Sequence, residues 1–163
     1  TALQGCFICY CAGDQAFANR LHDELQAAGL RCWKWNHDTQ FCEQLLGDPD
    51  LYIGPMERIL LIASRHSLLN ESINLEIGRA LEEEARRDVR QRQGGYPYPT
   101  EILHVVRLDD FIFQTSADGR PLWDHPCREA VTQRAVIDAV GGDRKSGRYE
   151  EVRREVRRAL AAV

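Results

Sequence analysis

No glycine-rich phosphate loop occurs in this chain: neither G-x-G-x-x-G nor G-x-x-x-x-G-K-[ST] is present. That removes the commonest sequence signals for dinucleotide and nucleoside-triphosphate binding. The Gly-x-Ser-x-Gly elbow of the α/β-hydrolases is missing too. No apolar run approaches the roughly 20 residues that a membrane-spanning helix needs, and no signal peptide is visible. A basic surplus is also lacking. Acidic residues outnumber Lys and Arg by 25 to 21, for a net charge of −4, which argues against a general nucleic-acid binder. The five histidines (His22, His37, His66, His104, His125) show no metal-ligand spacing. His104 lies inside a strand-like run and reads as structural, and His22 reads as a surface residue of the first helix. Internal repeats, low-complexity tracts and interdomain linkers are absent.

What remains has the composition of an ordinary globular domain, 44% apolar and 28% charged. At 163 residues it is most simply one domain, 1–163, long enough for a proper core. The start at Thr1, without methionine, suggests a processed or excised piece of a larger multidomain protein. Of six cysteines, three lie in CFICYC. Cys6 and Cys9 point to opposite faces of a strand and cannot share a metal. Cys9 and Cys11 share a face, but two ligands do not make a site. Cys32, Cys42 and Cys127 are scattered. All six read as free thiols buried as small apolar residues, which fits a reducing, cytoplasmic compartment.

Strand-like and helix-like segments alternate. Residues 6–11 are a short apolar run. Asp14 then caps a helix with the stripe Phe17, Leu21, Leu25 and Ala28, and Gly29 stops it. Residues 30–35 form a second strand, with Leu30, Cys32 and Lys34 on one face and Trp33 and Trp35 on the other. Residues 36–55 are polar and broken by Asp48-Pro49-Asp50 and Gly54-Pro55, a long loop with a short helix near 43–46 or 50–53. ILLIA, residues 59–63, is the clearest strand, and its unbroken apolar character implies burial on both faces. The next helix carries Ile73, Ile77, Ala80 and Leu81 on one stripe, and its far end, 82–92, reads as a solvated charged face. Residues 101–108 are a fourth strand, closed by Asp109-Asp110. Residues 111–134 are irregular, 135–137 make a short last strand, and a terminal helix over 149–160 turns Val152, Val156 and Leu160 inward.

Such alternation predicts an α/β three-layer sandwich, a five-stranded parallel sheet with helices on both faces. Right-handed crossovers give it the flavodoxin-like order 2-1-3-4-5. The usual occupants of that fold do not fit. A flavodoxin phosphate loop needs several hydroxyl residues after the first strand, where this chain has Cys11, Ala12, Gly13 and Asp14. A receiver domain needs an aspartate ending the third strand, where Ser64 stands. Ligands of open parallel sheets bind beyond the carboxyl ends of the strands, and one carboxylate, Glu76, lies in the first turns of the helix that follows the third strand.

FICYCAGDQAFANRLHDELQAAGLRCW resembles the opening of bacterial Toll/interleukin-1 receptor (TIR) domains, with their first strand, Asp-bearing loop and first helix. ILLIASRHSLLNESINLEIGRALEEE resembles their third strand and following helix, and VVRLDD their fourth strand and its acidic end. The likeness covers nearly the whole chain. It implies cleavage of NAD+ at the nicotinamide–ribose bond, with Glu76 as the catalytic glutamate. Ser72 stands where the family usually has tryptophan, and it is also placed to help cap the helix. The first-loop residues of the family align with Cys11, Ala12, Gly13 and Asp14, and its second-strand aromatic with Trp33. Residues 36–47 correspond to its BB loop, which mediates assembly and gates the pocket. Asp38 matches the acidic position there, but the glycine motif that usually follows is replaced by Phe41-Cys42-Glu43.

The chemistry suits a single carboxylate. Glycosidases generally need two, because the leaving oxygen must be protonated. Nicotinamide leaves as a neutral molecule from a cationic pyridinium, so one carboxylate that stabilises the developing oxocarbenium charge suffices. Trp33 or Trp35 is suited to stacking on a base and equally to core packing. Glu76 near a helix N-terminus is favourable with the helix dipole in any case. Asp14 is a helix cap that also stands where a pocket would be. Ser67 has two roles open to it, ligand contact or capping a turn.

The resemblance therefore implies an NAD+ glycohydrolase that yields nicotinamide and ADP-ribose or a cyclic isomer. NAD+ is its substrate, and no cofactor or metal is expected. Activity would rise on oligomerisation with other TIR domains. The setting would be bacterial antiphage defence, with a fused or associated sensor and neither membrane nor nucleic acid as direct partner. The alternatives are a non-catalytic scaffold for homotypic TIR–TIR contact and a module that senses NAD+ or its products without cleaving it.

Overall fold

The computed structural model describes residues 5–38, 58–141 and 146–161. The strands are β1 (Gly5–Tyr10), β2 (Arg31–Asn36), β3 (Arg58–Ala63), β4 (Leu103–Arg107) and β5 (Val136–Asp138). The helices are α1 (Gln15–Ala27), α2 (Arg65–Leu68), α3 (Glu71–Arg92), α4 (Arg128–Thr132) and α5 (Ser146–Ala161). All strand pairs are parallel, in the order β2-β1-β3-β4-β5, as the alternation predicts.

β1 and β3 are buried along their whole length, because helices cover both faces of the sheet centre. One core joins Phe7, Cys9, Leu61 and Val105 to Ile73, Ile77 and Ala80 of α3 and Val131 of α4. The other joins Cys6, Ile8, Leu60 and Val106 to Phe17, Leu21 and Leu25 of α1 and Tyr149, Val152 and Val156 of α5. The period-two alternation of β1 and β2 therefore sorts Cys9 and Cys11 from Cys6 and Cys32. α1 ends at Gly29, whose φ of +88° lies in the left-handed region that glycine enters without a Cβ penalty.

Three local expectations change. The far end of α3 is not uniformly solvated, because Glu84 and Arg87 are buried. Glu84 Oε1 accepts the backbone N–H of Ile102 and Leu103, both at 2.8 Å, and Arg134 grips both carboxylate oxygens. These bonds satisfy backbone donors at the start of β4 that the sheet leaves unpaired. The irregular region 111–134 contains the five-residue helix α4. His22 is half-buried rather than superficial, with Nε2 3.1 Å from the Cys32 carbonyl. The short helix expected near 43–46 or 50–53 lies outside the described residues, as does Cys42. No helix among the described residues is long and apolar enough to cross a membrane.

Candidate functional site

The carboxyl ends of β1 and β2 converge on the start of α3. β1 stops at Tyr10, buried Cys11 follows, and the chain turns through a 3-10 segment, Ala12–Asp14. His37 N–H donates to the Tyr10 carbonyl at 2.8 Å, which carries the β1–β2 pairing one step beyond the strands. That step presents Asp38 to the first loop. Asp38 Oδ2 accepts the Ala12 N–H at 2.6 Å, and its Oδ1 accepts from Asn70 Nδ2 at 3.0 Å. The Asn70 side-chain oxygen in turn accepts the Ile73 N–H at 3.0 Å, so Asn70 is the N-cap of α3. A single carboxylate thus ties the first loop to the helix that carries Glu76.

Ser72 does not cap the helix, since Asn70 holds that position. Its hydroxyl lies 2.7 Å from His37 Nδ1. Burial drives the His37 pKa down to about 4, against a smaller upward pull from Asp38, so the imidazole is neutral at pH 7. Glu76 lies one turn beyond Ser72 on the same helix face and is only 2% exposed. Glu71 is the acidic residue in the first turn of α3, where the helix dipole favours negative charge, and Glu76 lies in the second turn.

Among the described residues a cleft opens at the same edge of the sheet, on the side of α1. It has a volume of about 470 Å³, and its walls include Gly13, Asp14, Ser64, His66, Asp109 and Val140. These come from the segments that follow β1, β3, β4 and β5, His66 from α2. Glu76 is not among the lining residues. Gly13 is needed for the close packing, because a Cβ there would lie 2.9 Å from the His66 ring. Asp14 stands at the N-cap of α1 without making a capping bond. It is buried and accepts the Ser64 hydroxyl instead. Burial raises its pKa, the Ser64 bond and His66 oppose the rise, and Asp109 and Asp38 add to it. Asp109 accepts the Arg65 N–H at 2.8 Å and the Phe111 N–H at 3.0 Å, which fixes the floor between β3 and β4.

The remaining expected residues lie elsewhere. Ser67 is fully buried in a reciprocal capping box with Ser64: Ser64 N–H donates to the Ser67 hydroxyl at 2.8 Å and Ser67 N–H to the Ser64 hydroxyl at 3.2 Å. Trp33 stacks on Phe7 with ring centroids 4.8 Å apart, in the middle of edge strand β2. It is about 10 Å of strand short of Asn36. The structure therefore gathers Ala12, Asp38, Ser72 and Glu76 around α3, places Gly13 and Asp14 in the cleft, and leaves Cys11 in the core. It adds His37, Asn70, His66 and Asp109. The acidic end of β4 was the visible signal for Asp109, whereas His37, Asn70 and His66 carry no motif. Among the described residues no group of three or more His, Cys, Asp or Glu side chains is placed to hold a metal.

A family model described as TIR domain matches residues 6–92, more than half of the chain. The match runs from β1 through the end of α3 and so includes the first loop and Glu76. No curated protein and no solved structure matches.

Proposed function

Because the chain belongs to the TIR domain family, we propose that it is an NAD+ glycohydrolase in which Glu76 faces the ribose of the nicotinamide half. The observation that carries this reading is the buried carboxylate of Glu76, 2% exposed, in the first turns of α3 and inside the stretch that matches the family. The departing nicotinamide needs no proton, so Glu76 serves only to stabilise positive charge as it develops on the ribose. Such a carboxylate acts most strongly where water is excluded. Capture of the oxocarbenium ion by water gives ADP-ribose, and capture by an adenine nitrogen gives a cyclic isomer.

The Ala12–Asp38–Asn70 link gives the other residues their parts in this reading. It fixes the first loop and the β2 end against α3, so Ala12, Gly13, Asp14, Asp38 and Ser72 become the wall on which substrate is held, with Cys11 packed behind it in the core. Residues 39–47 of the expected BB loop lie outside the described residues; on this reading the BB loop completes a neighbour's pocket on assembly. The wider setting rests on family membership: activation by oligomerisation, a fused or associated sensor, and antiphage defence in the bacterial cytoplasm.

A second reading, a scaffold for TIR–TIR contact, draws on one observation. Leu69 and Leu75, flanking the start of α3, are 61% and 50% exposed, more apolar surface than a helix entrance needs. Glu76→Ala separates the two. The enzyme reading expects loss of NAD+ cleavage with self-association, followed by light scattering, unchanged. Unchanged self-association by a wild-type protein that never cleaves NAD+, even when assembled, selects the scaffold.

A further inference from the structure

We propose that Cys6 and Cys32 form a redox-sensitive dithiol that closes to an intrachain disulfide between β1 and β2. The two residues are register partners on neighbouring parallel strands, so their Cα atoms are about 4.8 Å apart, inside the range a disulfide spans. Their sulfurs are 3.0 Å apart, and the bond requires an approach of roughly 1 Å more. Both point to the α1 face. Cys9 and Cys11 line the opposite face, so neither competes for Cys32. The Cys32 backbone is held against α1, its carbonyl lying 3.1 Å from His22 Nε2 and accepting from Gln26 Nε2 at 3.3 Å.

The pair is also divided chemically. Its shared hydrogen bond holds the Cys32 thiol below the ordinary range and, with burial, pushes Cys6 above it. Cys32 is the attacking thiol, since the thiolate is the nucleophile. Cys32 is 4% exposed, on edge strand β2, so hydrogen peroxide, little larger than water, reaches its sulfur only through local opening of that edge. The Cys32 thiolate attacks one peroxide oxygen and expels hydroxide, which takes up a proton to become water. The sulfenic acid formed is then attacked by the Cys6 sulfur, which loses its proton as the S–S bond forms and a second water departs. Two thiols are oxidised and one peroxide is reduced to two waters. The disulfide encloses all of α1 and fixes the strand that delivers His37 and Asp38. The inference is independent of Glu76 and of any activity toward NAD+.

The test uses the folded wild-type protein, treated with hydrogen peroxide, then denatured and blocked with N-ethylmaleimide before trypsin digestion. Cleavage after Arg20 and Arg31 separates the two cysteines, so the disulfide joins the peptide ending at Arg20 to Cys32–Lys34. The expected result is that joined peptide, fragmenting to place the bond at Cys6, lost on reduction and absent from Cys6→Ser protein. Recovery of Cys32 as the maleimide adduct, as an over-oxidised acid, or joined through Cys9 or Cys11, overturns the proposal.

Discussion

Acidification should weaken this fold through two histidines that it buries neutral. Burial takes His37 from 6.5 to about 4. Burial, reinforced by Arg58, takes His104 over the same interval, from 6.5 to about 4. Nε2 of each has no hydrogen-bond partner among the described residues. The sign follows from linkage. A histidine with a depressed folded pKa contributes stability that is fully present above the unfolded value, 6.5, and is lost as pH falls toward about 4. Over that window the unfolded chain takes up a proton that the folded chain refuses. At 1.36 kcal/mol per pH unit the loss is at most about 3 kcal/mol for each histidine. That is a large share of the roughly 5–15 kcal/mol that holds a domain together. Asp14 works in the opposite direction. Burial raises its pKa, so its contribution is present in acid and lost as pH rises through its folded value. The assay is urea unfolding at several pH values between 7.5 and 4.5, on wild type, His37→Gln and His104→Gln. Each variant should show a shallower loss of stability with acid than wild type, whatever its stability at pH 7.5. Variants whose pH dependence runs parallel to that of wild type would refute the reasoning.

Other substitutions test the remaining joints. Asn70→Ala removes both the cap of α3 and the bond to Asp38, and should cost about 1–2 kcal/mol in denaturant unfolding. Asn70→Asp keeps the cap but sets a second carboxylate against Asp38, and should fall between. Glu84→Ala strands the Arg134 guanidinium and two backbone amides in a mostly buried place, and should cost about 3–5 kcal/mol, with Arg134→Ala comparable. Gly13→Ala forces the His66 ring to move. It should shift the His66 imidazole resonances in NMR while changing stability by only about 1 kcal/mol, because His66 is exposed and free to give way.

The parts of the fold legible in the sequence were those set by one-dimensional periodicity. The apolar run of residues 59–63 became β3 within one residue, and Phe17, Leu21 and Leu25 became the buried face of α1, while Ala28, the last residue expected on that stripe, is its exposed C-cap. Helix α4 was not legible because it has five residues and one buried apolar side chain, Val131, too short for a period to register. Glu84 and Arg87 sit in a charged stretch that any pattern reads as solvated. The burial of Glu84 depends on β4 and Arg134, which lie far along the chain, while Arg87 bonds Glu83 one turn back and lies over the Tyr96 ring. The candidate site divides in the same way. Glu76 and Asp14 were visible by their place after strand ends, and Asp38 only through the resemblance to TIR domains. The joining of Asp38 to Ala12 and Asn70, and of Ser72 to His37, depends on how β1, β2 and the start of α3 meet in space, contacts between residues 26 to 35 apart that no local pattern encodes. The register of β1 on β2 brings Cys6 to Cys32.

The most direct test of the central claim is nicotinamide release from NAD+ by wild type and Glu76→Gln, at high protein concentration, with and without a crowding agent. Glutamine keeps the size of the side chain and removes only its charge. The claim predicts nicotinamide from wild type, rising more than in proportion to protein concentration, and none above background from a Glu76→Gln protein of equal folded content. Equal release by both proteins, or none by a wild type shown to be assembled, would contradict it.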